Sequence, residues 1–198
     1  MIARFELSNL KLQFPRRWAK FFSECREYLE DYAPFDGKNL FVSGGFFARR
    51  AINQPIRDID IYVNGDEKYL ECLKEEYLRL DWTVKETVGY KSPSKNIHYV
   101  CSKKDETFEL DLISFHEPKS VEHISSFDFN ICQIAMDEDY LYFGAGTNAT
   151  LLCLEKQEML FTGVLGSKTF QRAIKYTKLG FALSEEDQAS IANMHKNG

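Results

Sequence analysis

Two aspartates and a glycine pair stand at a spacing that suits phosphoryl-group chemistry. Gly44 and Gly45 close one apolar run, and Asp58 and Asp60 follow inside a second one. In a strand, residues i and i+2 point to the same face, so both carboxylates are aimed at one point. Such a pair repels itself unless a cation lies between the carboxylates, and hard oxygen ligands of this kind suit Mg²⁺. Because glycine lacks a Cβ, backbone N–H groups at a helix start can approach a phosphate closely, and the pattern predicts metal-dependent phosphoryl or nucleotidyl transfer.

A third carboxylate extends this pattern. Asp111 lies between two leucines in the segment 107–115, which is rich in apolar residues and predicts a strand. Three carboxylates on adjacent strands hold two metal ions in many transfer enzymes, where one ion activates the attacking oxygen and the other stabilises the leaving oxygen. The predicted metal ligands are therefore Asp58, Asp60 and Asp111, with Mg²⁺ as the expected ion and Mn²⁺ as an alternative.

Three segments carry a resemblance to a known family. Residues 41–63, FVSGGFFARRAINQPIRDIDIYV, resemble the nucleotidyltransferase signature of the DNA polymerase beta superfamily, and within it the catalytic head of tRNA nucleotidyltransferases and bacterial poly(A) polymerases. Residues 125–137, SSFDFNICQIAMD, are similar to the Arg-Arg-Asp-Phe-Thr-x-Asn-Ala segment of that head. Residues 171–183, QRAIKYTKLGFAL, are similar to its helix that ends in Leu-Gly-Phe and closes the nucleotide pocket.

The resemblance implies a fold and a set of nucleotide-binding residues. The fold is α+β and polymerase-beta-like, with a short mixed sheet flanked by helices and a small C-terminal helical cap. The expected division is a catalytic domain at 1–137 and a cap at 138–198, with one continuous domain as the alternative. Asp111 would also help to deprotonate the hydroxyl group of the molecule that accepts the nucleotide. The implied nucleotide-binding residues are Ser43, Gly44 and Gly45 on the phosphates, together with Arg49, Arg57, Asp128, Arg172 and Lys175.

The chain also departs from the family pattern. Ser126 and Phe127 replace the paired arginines of the second segment, and Cys132 stands where the family has asparagine. The family's base-reading motif and the long helical body that grips tRNA are not recognisable. The metal site therefore carries over, whereas selectivity for CTP and ATP, and for a tRNA end, does not.

Composition indicates a compact cytoplasmic protein. Hydrophobic residues make up 44% of the 198 residues, and no apolar run approaches the roughly 20 residues of a membrane span. The five cysteines lack CxxC spacing, so we expect neither a zinc site nor a disulfide framework. A net charge of −5 is unusual for a protein whose main partner is a long nucleic acid.

Periodicity predicts the order of helices and strands. An amphipathic helix is expected from Pro15 to about Tyr32, and a loop over 89–96 that overhangs the site. An aromatic run that includes Phe127 and Phe129 suits core packing better than base stacking. The remaining expected strands are 40–43, 56–63, 83–88, 97–102 and 107–115, with a small hairpin formed by 131–136 and 141–143. The remaining expected helices are 45–51, a helix that ends at about Leu80, 119–126, and three helices that begin at Ala149, Lys168 and Ser184.

Two classes of function fit these residues. The first is a nucleotidyltransferase that moves NMP from an NTP, such as ATP, to an acceptor hydroxyl and releases pyrophosphate. An RNA or tRNA 3′ end is the leading acceptor, and a protein or a small molecule is the alternative. The second class is a regulatory module on the same fold that binds nucleotide or a partner without turnover.

Overall fold

The computed structural model describes residues 2–35, 40–64, 67–87, 95–115 and 121–197. Its strands are β1 (Ala3–Glu6), β2 (Leu40–Ser43), β3 (Asp58–Val63), β4 (Thr83–Glu86), β5 (Lys95–Ser102), β6 (Glu109–Phe115), β7 (Ile134–Met136), β8 (Tyr140–Phe143), β9 (Glu158–Met159) and β10 (Ala182–Leu183). Its α-helices are α1 (Leu10–Gln13), α2 (Arg16–Glu30), α3 (Gly45–Ala51), α4 (Glu67–Arg79), α5 (Thr147–Lys156), α6 (Thr169–Lys178) and α7 (Glu185–Asn197). Short 3₁₀ helices cover Leu7–Asn9, Val121–Ser126 and Asn130–Cys132.

A mixed sheet forms the centre of the molecule. Within the described residues it has eight strands in the order β1-β8-β7-β2-β3-β6-β5-β4. Strands β3 and β6 run parallel, and the other neighbouring pairs are antiparallel. The α+β class is confirmed, but the sheet is larger than the short sheet that the sequence predicts.

The two faces of the sheet differ in chemistry because side chains alternate along each strand. On β3, Ile59 and Ile61 are fully buried in the main core, whereas Asp58 and Asp60 on the opposite face are partly exposed. A smaller apolar cluster lies on the acidic face and includes Phe41 and Tyr62. The acidic face of the sheet is therefore polar at one end and aromatic at the other.

Helix α2 covers the apolar face. Its buried residues recur at helical spacing and belong to the main core, and Pro15 precedes its first turn, where the missing N–H of proline is harmless. The predicted N-terminal helix is thus confirmed, with bounds of Arg16–Glu30. The buried residues of this face of α2 are Trp18, Ala19, Phe22, Cys25 and Leu29.

Most predicted elements are found close to their expected positions. The predicted hairpin is confirmed, because β7 and β8 pair antiparallel, but both strands belong to the large sheet. Strand β1 is not predicted by the sequence pattern, and the helix expected at 119–126 is a 3₁₀ helix over Val121–Ser126. Of the loop expected to overhang the site, residues 89–94 lie outside the described part of the chain, and Lys95 and Asn96 belong to β5.

Strand β8 lies just beyond the predicted domain boundary at residue 137. It pairs with β7 on one side and with β1 on the other, and the division into two units stays a prediction. None of the helices in the described residues is long and apolar enough to cross a membrane.

Candidate functional site

Sheet register brings three of the predicted residues into one row. Ser43 on β2 pairs with Asp60 on β3, and Asp60 pairs with Asp111 on β6. Paired residues on neighbouring strands project from the same face of the sheet. Asp58 lies two residues before Asp60 and shares that face, and we call Asp58, Asp60 and Asp111 together the acidic row. Adjacent strands are about 4.8 Å apart, so the register alone places the carboxylates of β3 and β6 side by side.

The glycine pair leaves room for this row. Gly44 has φ of 89°, a backbone conformation that L-residues with a side chain rarely adopt. A Cβ at Gly44 would collide with Oδ2 of Asp60, and a Cβ at Gly45 would lie 3.0 Å from the hydroxyl oxygen of Tyr176. The two glycines therefore allow the turn into α3 to approach both the acidic row and helix α6.

Helix α6 faces the acidic row and is attached by a partly buried ion pair to the segment that carries Asp128. Arg172 Nη1 lies 2.8 Å from Asp128 Oδ2, and the Thr169 hydroxyl donates to the same oxygen at 2.9 Å. The Asp128 side chain is 3% exposed and that of Arg172 is 45% exposed. Burial lowers the pKa of Arg172, but the charge and hydrogen bond of Asp128 outweigh it, and the net shift is upward. The pair therefore fixes α6 against the segment that carries Asp128.

A second contact joins α6 to the acids. Lys175 Nζ lies 3.7 Å from Asp58 Oδ2, and both side chains are more than a third exposed. An ion pair at this distance and exposure contributes little to stability, at most about 1 kcal/mol. Lys175 is thus a partly exposed cation beside the carboxylates, whereas Arg172 is held by Asp128.

A thiol and two phenols complete the inner wall. Cys132 Sγ donates to the Tyr176 hydroxyl at 3.0 Å. Burial raises the pKa of the Cys132 thiol to about 12, although the hydrogen bond to Tyr176 opposes this shift. Burial also raises the pKa of Tyr176, and Cys132 adds to this shift. The pKa of Tyr62 is raised mainly by burial and, to a smaller extent, by the negative charge of Asp60. These groups stay protonated at neutral pH, so the reactive groups of the site are its carboxylates and cations.

These elements enclose a cavity of about 280 Å³. It has an acidic side from β3 and β6, a basic side from α6, and an aromatic part near Tyr62 and Phe127. Its lining consists of Gly44, Gly45, Asp58, Asp60, Tyr62, Asp111, Phe127, Asp128, Cys132, Lys168, Gln171, Arg172, Lys175 and Tyr176.

Eight of the eleven predicted site residues line this cavity, and three lie elsewhere. The Ser43 hydroxyl is buried and donates to the carbonyl oxygen of Ile134 at 2.7 Å. Arg49 is buried and donates to the Pro55 carbonyl at 3.2 Å, and Arg57 is exposed outside the lining. The phosphate contacts proposed for these three side chains stay predictions.

Six residues of the cavity lining were not among the predicted site residues, although the spacing of some of them in the sequence indicates their position. Positions 168, 171, 172 and 175 are spaced at i, i+3, i+4 and i+7, so Lys168 and Gln171 are expected on the same helical face as Arg172 and Lys175. Tyr62 continues the alternation of Asp58 and Asp60. The others, Phe127, Cys132 and Tyr176, are placed by tertiary contacts.

The donor chemistry of the acidic row fits a hard cation, since carboxylate oxygens are the ligands that Mg²⁺ takes. In the part of the chain that the structure describes, no three His, Cys, Asp or Glu side chains converge closely enough to hold a metal ion. The magnesium site therefore stays a prediction that rests on the register of three aspartates.

Comparison with known families identifies the chain. A model of the Gabija anti-defense 2 family matches residues 16–151, which include the acidic row, the glycine pair and Asp128. The chain belongs to the Gabija anti-defense 2 family. The match ends within α5, so α6 lies beyond it. No curated protein gives a significant match.

Solved structures show which fold this family member has. A CCA-adding enzyme in complex with CTP has a TM-score of 0.60 at 17% identity, and the apo form I of a CCA-adding enzyme has 0.58 at 15%. A Thermotoga maritima CCA-adding enzyme complexed with tRNA(CCA) has 0.55 at 16%. These alignments cover 98%, 98% and 95% of this chain but 47%, 46% and 44% of the enzymes. The chain therefore shares its fold with part of these CCA-adding enzymes, and it spans less than half of their length.

Proposed function

We propose that this chain is a magnesium-dependent nucleotidyltransferase, which moves NMP from an NTP to an acceptor hydroxyl and releases pyrophosphate. The observation that carries the proposal is the opposition of charges across one cavity. Asp58, Asp60 and Asp111 lie on one face of the sheet, and the cations of α6 face them. Such an arrangement suits a ligand that carries both phosphate and metal.

Each acid has a role in this reaction. Asp58, Asp60 and Asp111 would hold the metal, which supplies neutralisation of the triphosphate charge and polarisation of the reacting oxygens. The acceptor oxygen forms a bond to the α-phosphorus, and the bond from that phosphorus to the bridging oxygen of pyrophosphate breaks. Asp111 takes the proton of the acceptor hydroxyl and passes it to solvent. The protein acts by positioning and by charge, with no covalent intermediate.

The cations of α6 have separate roles. Lys175 is partly exposed and lies beside Asp58, so it can turn to a phosphate oxygen when a nucleotide enters. Arg172 is held by Asp128 and acts on the phosphates through its charge and through the position of the helix. The glycine pair would let the main chain approach the phosphates at the opposite wall.

The structural neighbours favour RNA as the first acceptor to test. One neighbouring enzyme is complexed with tRNA, and others are complexed with CTP and ATP. A protein hydroxyl is the second candidate acceptor. The net charge of −5 is unfavourable for the binding of a nucleic acid, and the family is named for counteracting a defence. A protein component of that defence is the acceptor that this name favours.

The test is transfer of label from each of the four α-³²P-labelled NTPs. Reactions contain Mg²⁺ and either total RNA, tRNA or a lysate that contains the Gabija components, and labelled RNA is separated from labelled protein on denaturing gels. We expect one class of acceptor to become labelled, and expect D58N and D60N each to reduce labelling at least ~100-fold while the circular dichroism spectrum is retained.

A matched control is D105N, which makes the same change at an exposed turn outside the cavity. Near-normal transfer by D58N or D60N would show that these acids do not serve catalysis. Thermal stabilisation by NTP without any transfer to RNA or protein would instead favour the nucleotide-binding module.

A further inference from the structure

An aromatic wall continues directly from the acidic row. Asp58, Asp60 and Tyr62 occupy alternate positions on one face of β3 and all line the cavity. At about 3.3 Å per residue, the Cα atoms of Asp60 and Tyr62 are about 7 Å apart along the strand. The sheet therefore passes from carboxylates to an aromatic ring within the length of one nucleoside.

Phe127 is the second ring of this wall, and it is held in place. Its ring centroid lies 6.0 Å from that of Tyr62 and 5.5 Å from that of His123, the latter at an interplanar angle of 86°. The carbonyl oxygen of Phe127 accepts hydrogen bonds from Gln133 Nε2 at 2.7 Å and from the Thr162 hydroxyl at 2.8 Å. A ring on a main chain fixed in this way presents a constant surface to the cavity.

The two rings differ in what they can offer a ligand. Tyr62 stacks on Phe41 at a centroid distance of 5.0 Å and an interplanar angle of 8°, so one face of its ring is covered by a protein ring. At 5% exposure, little of the remaining surface of Tyr62 is accessible to a ligand. Phe127 is only partly buried and lines the cavity, so part of its surface is accessible to a ligand there. Phe127 is therefore the aromatic side chain of this wall that a planar group can cover.

The opposite wall carries the charge. Arg172 and Lys175 of α6, and Lys168 directly before this helix, line the cavity with cationic groups, whereas Tyr62 and Phe127 carry no charge there. A ligand that matches both walls has a polyanionic part and a flat aromatic part, and a nucleoside triphosphate has this division. Core packing alone explains the contacts of Phe127 with Tyr62 and His123, but not its position in the lining of a polar cavity.

We infer that Phe127 stacks against the base of the bound nucleotide, an inference that rests on the proposed nucleotidyl transfer. Base–aromatic stacking tolerates every base because each has a π-face, and it is stronger for larger rings. The site then prefers ATP and GTP over CTP and UTP by several-fold, through ring area rather than through hydrogen bonds to the base edge.

The test compares a ligand that has a base with one that has none. Dissociation constants of ATP and of tripolyphosphate are measured by titration calorimetry with Mg²⁺ in the absence of an acceptor. We expect F127A to weaken ATP binding about tenfold and to change tripolyphosphate binding by less than about twofold. F127L keeps the apolar volume without the π-face and should resemble F127A, whereas F127W should bind ATP at least as tightly as the native protein.

The control is F170A, which removes a phenylalanine that is 43% exposed on α6 and lies outside the cavity lining. If F127A proves unfolded by circular dichroism, F127L decides the question. Equal losses for ATP and tripolyphosphate, or unchanged ATP binding by F127L, would overturn the stacking role and leave the proposed function standing. A native protein that binds neither ligand would overturn the proposed function, and the stacking role with it.

Discussion

The ion pair between Asp128 and Arg172 makes a prediction about stability that needs no ligand. Arg172→Ala leaves the carboxylate of Asp128, 3% exposed, without the guanidinium that lies 2.8 Å from it. The Thr169 hydroxyl, 2.9 Å from the same oxygen, remains. The variant therefore keeps a buried negative charge whose main counterion has been removed.

The expected loss follows from burial. Removing one partner of a fully buried pair costs about 3–5 kcal/mol. The Arg172 side chain is 45% exposed, so water replaces part of its effect, and we expect a loss of about 2 kcal/mol in the free energy of unfolding. For a chain of this length that corresponds to a fall of roughly 4–8 °C in the melting temperature.

Urea unfolding of the ligand-free protein measures this loss, and a double-mutant cycle isolates the pair. Asp128→Asn removes the charge, so Arg172→Ala should cost about 1–2 kcal/mol less in a protein that already carries Asp128→Asn than in the native one. The matched control is Arg17→Ala. Arg17 also makes a short ion pair, 2.6 Å from Glu155, but both side chains are more than half exposed, and we expect a loss below about 1 kcal/mol.

Two results would refute the reasoning. If Arg172→Ala destabilises the protein no more than Arg17→Ala does, the pair does not anchor α6. If the effects of the two substitutions at Asp128 and Arg172 simply add, the residues are energetically independent. An Arg172 that serves only to contact phosphate would show both results.

Two further predictions concern the backbone and the thiols. Gly44→Ala introduces a Cβ that collides with Asp60 at a residue with a φ of 89°, so we expect the free energy of unfolding to fall by about 2 kcal/mol or more. The control is Gly146→Ala, where a Cβ meets nothing within 4 Å, and this variant should unfold thermally almost as the native protein does. Burial raises the pKa of three thiols from 9.0 to about 12, and they are Cys25, Cys101 and Cys132. Below pH 9 these thiols are protonated in both the folded and the unfolded protein. Above pH 9 the unfolded chain loses these protons first, so the melting temperature should fall progressively as the pH rises from 9 towards 12. A melting temperature that does not change over this range would contradict the raised pKa values of the thiols.

Local sequence pattern predicted the acidic face of β3 and the aspartate of β6, but not the register between these two strands. The alternation of aspartate and isoleucine from Asp58 to Ile61 is enough to assign a strand with one polar face. That Asp60 lies beside Asp111 depends on the parallel pairing of β3 and β6, whose residues are separated by about fifty positions. Register of this kind is set by long-range packing, and no local signal encodes it.

Contacts of the helical side were predicted in part. The resemblance indicated that α6 closes the cavity, and its Lys175 and Arg172 are found there. The partner of Arg172 was not predicted, because Asp128 is 44 positions away and reaches the helix through an irregular segment. Strand β1 was missed because its four residues, only partly buried at the sheet edge, give a weak pattern.

The cavity is assembled from two parts of the chain that are held in place in different ways. Its floor consists of β2, β3 and β6, where each functional side chain is tied to the pairing of strands and to the main core behind them. Its roof consists of α6 and residues 127–132, which are joined to each other by side-chain contacts such as that of Arg172 with Asp128. Substitution of a core side chain in the floor, such as Ile59 or Ile61, disturbs the sheet, whereas a substitution in the roof acts first on the contacts of α6 and on the shape of the cavity above the acids. Relatives of this protein can therefore acquire new ligand preferences through the roof while the floor keeps the same chemistry, and the same separation makes the roof the natural target for redesign.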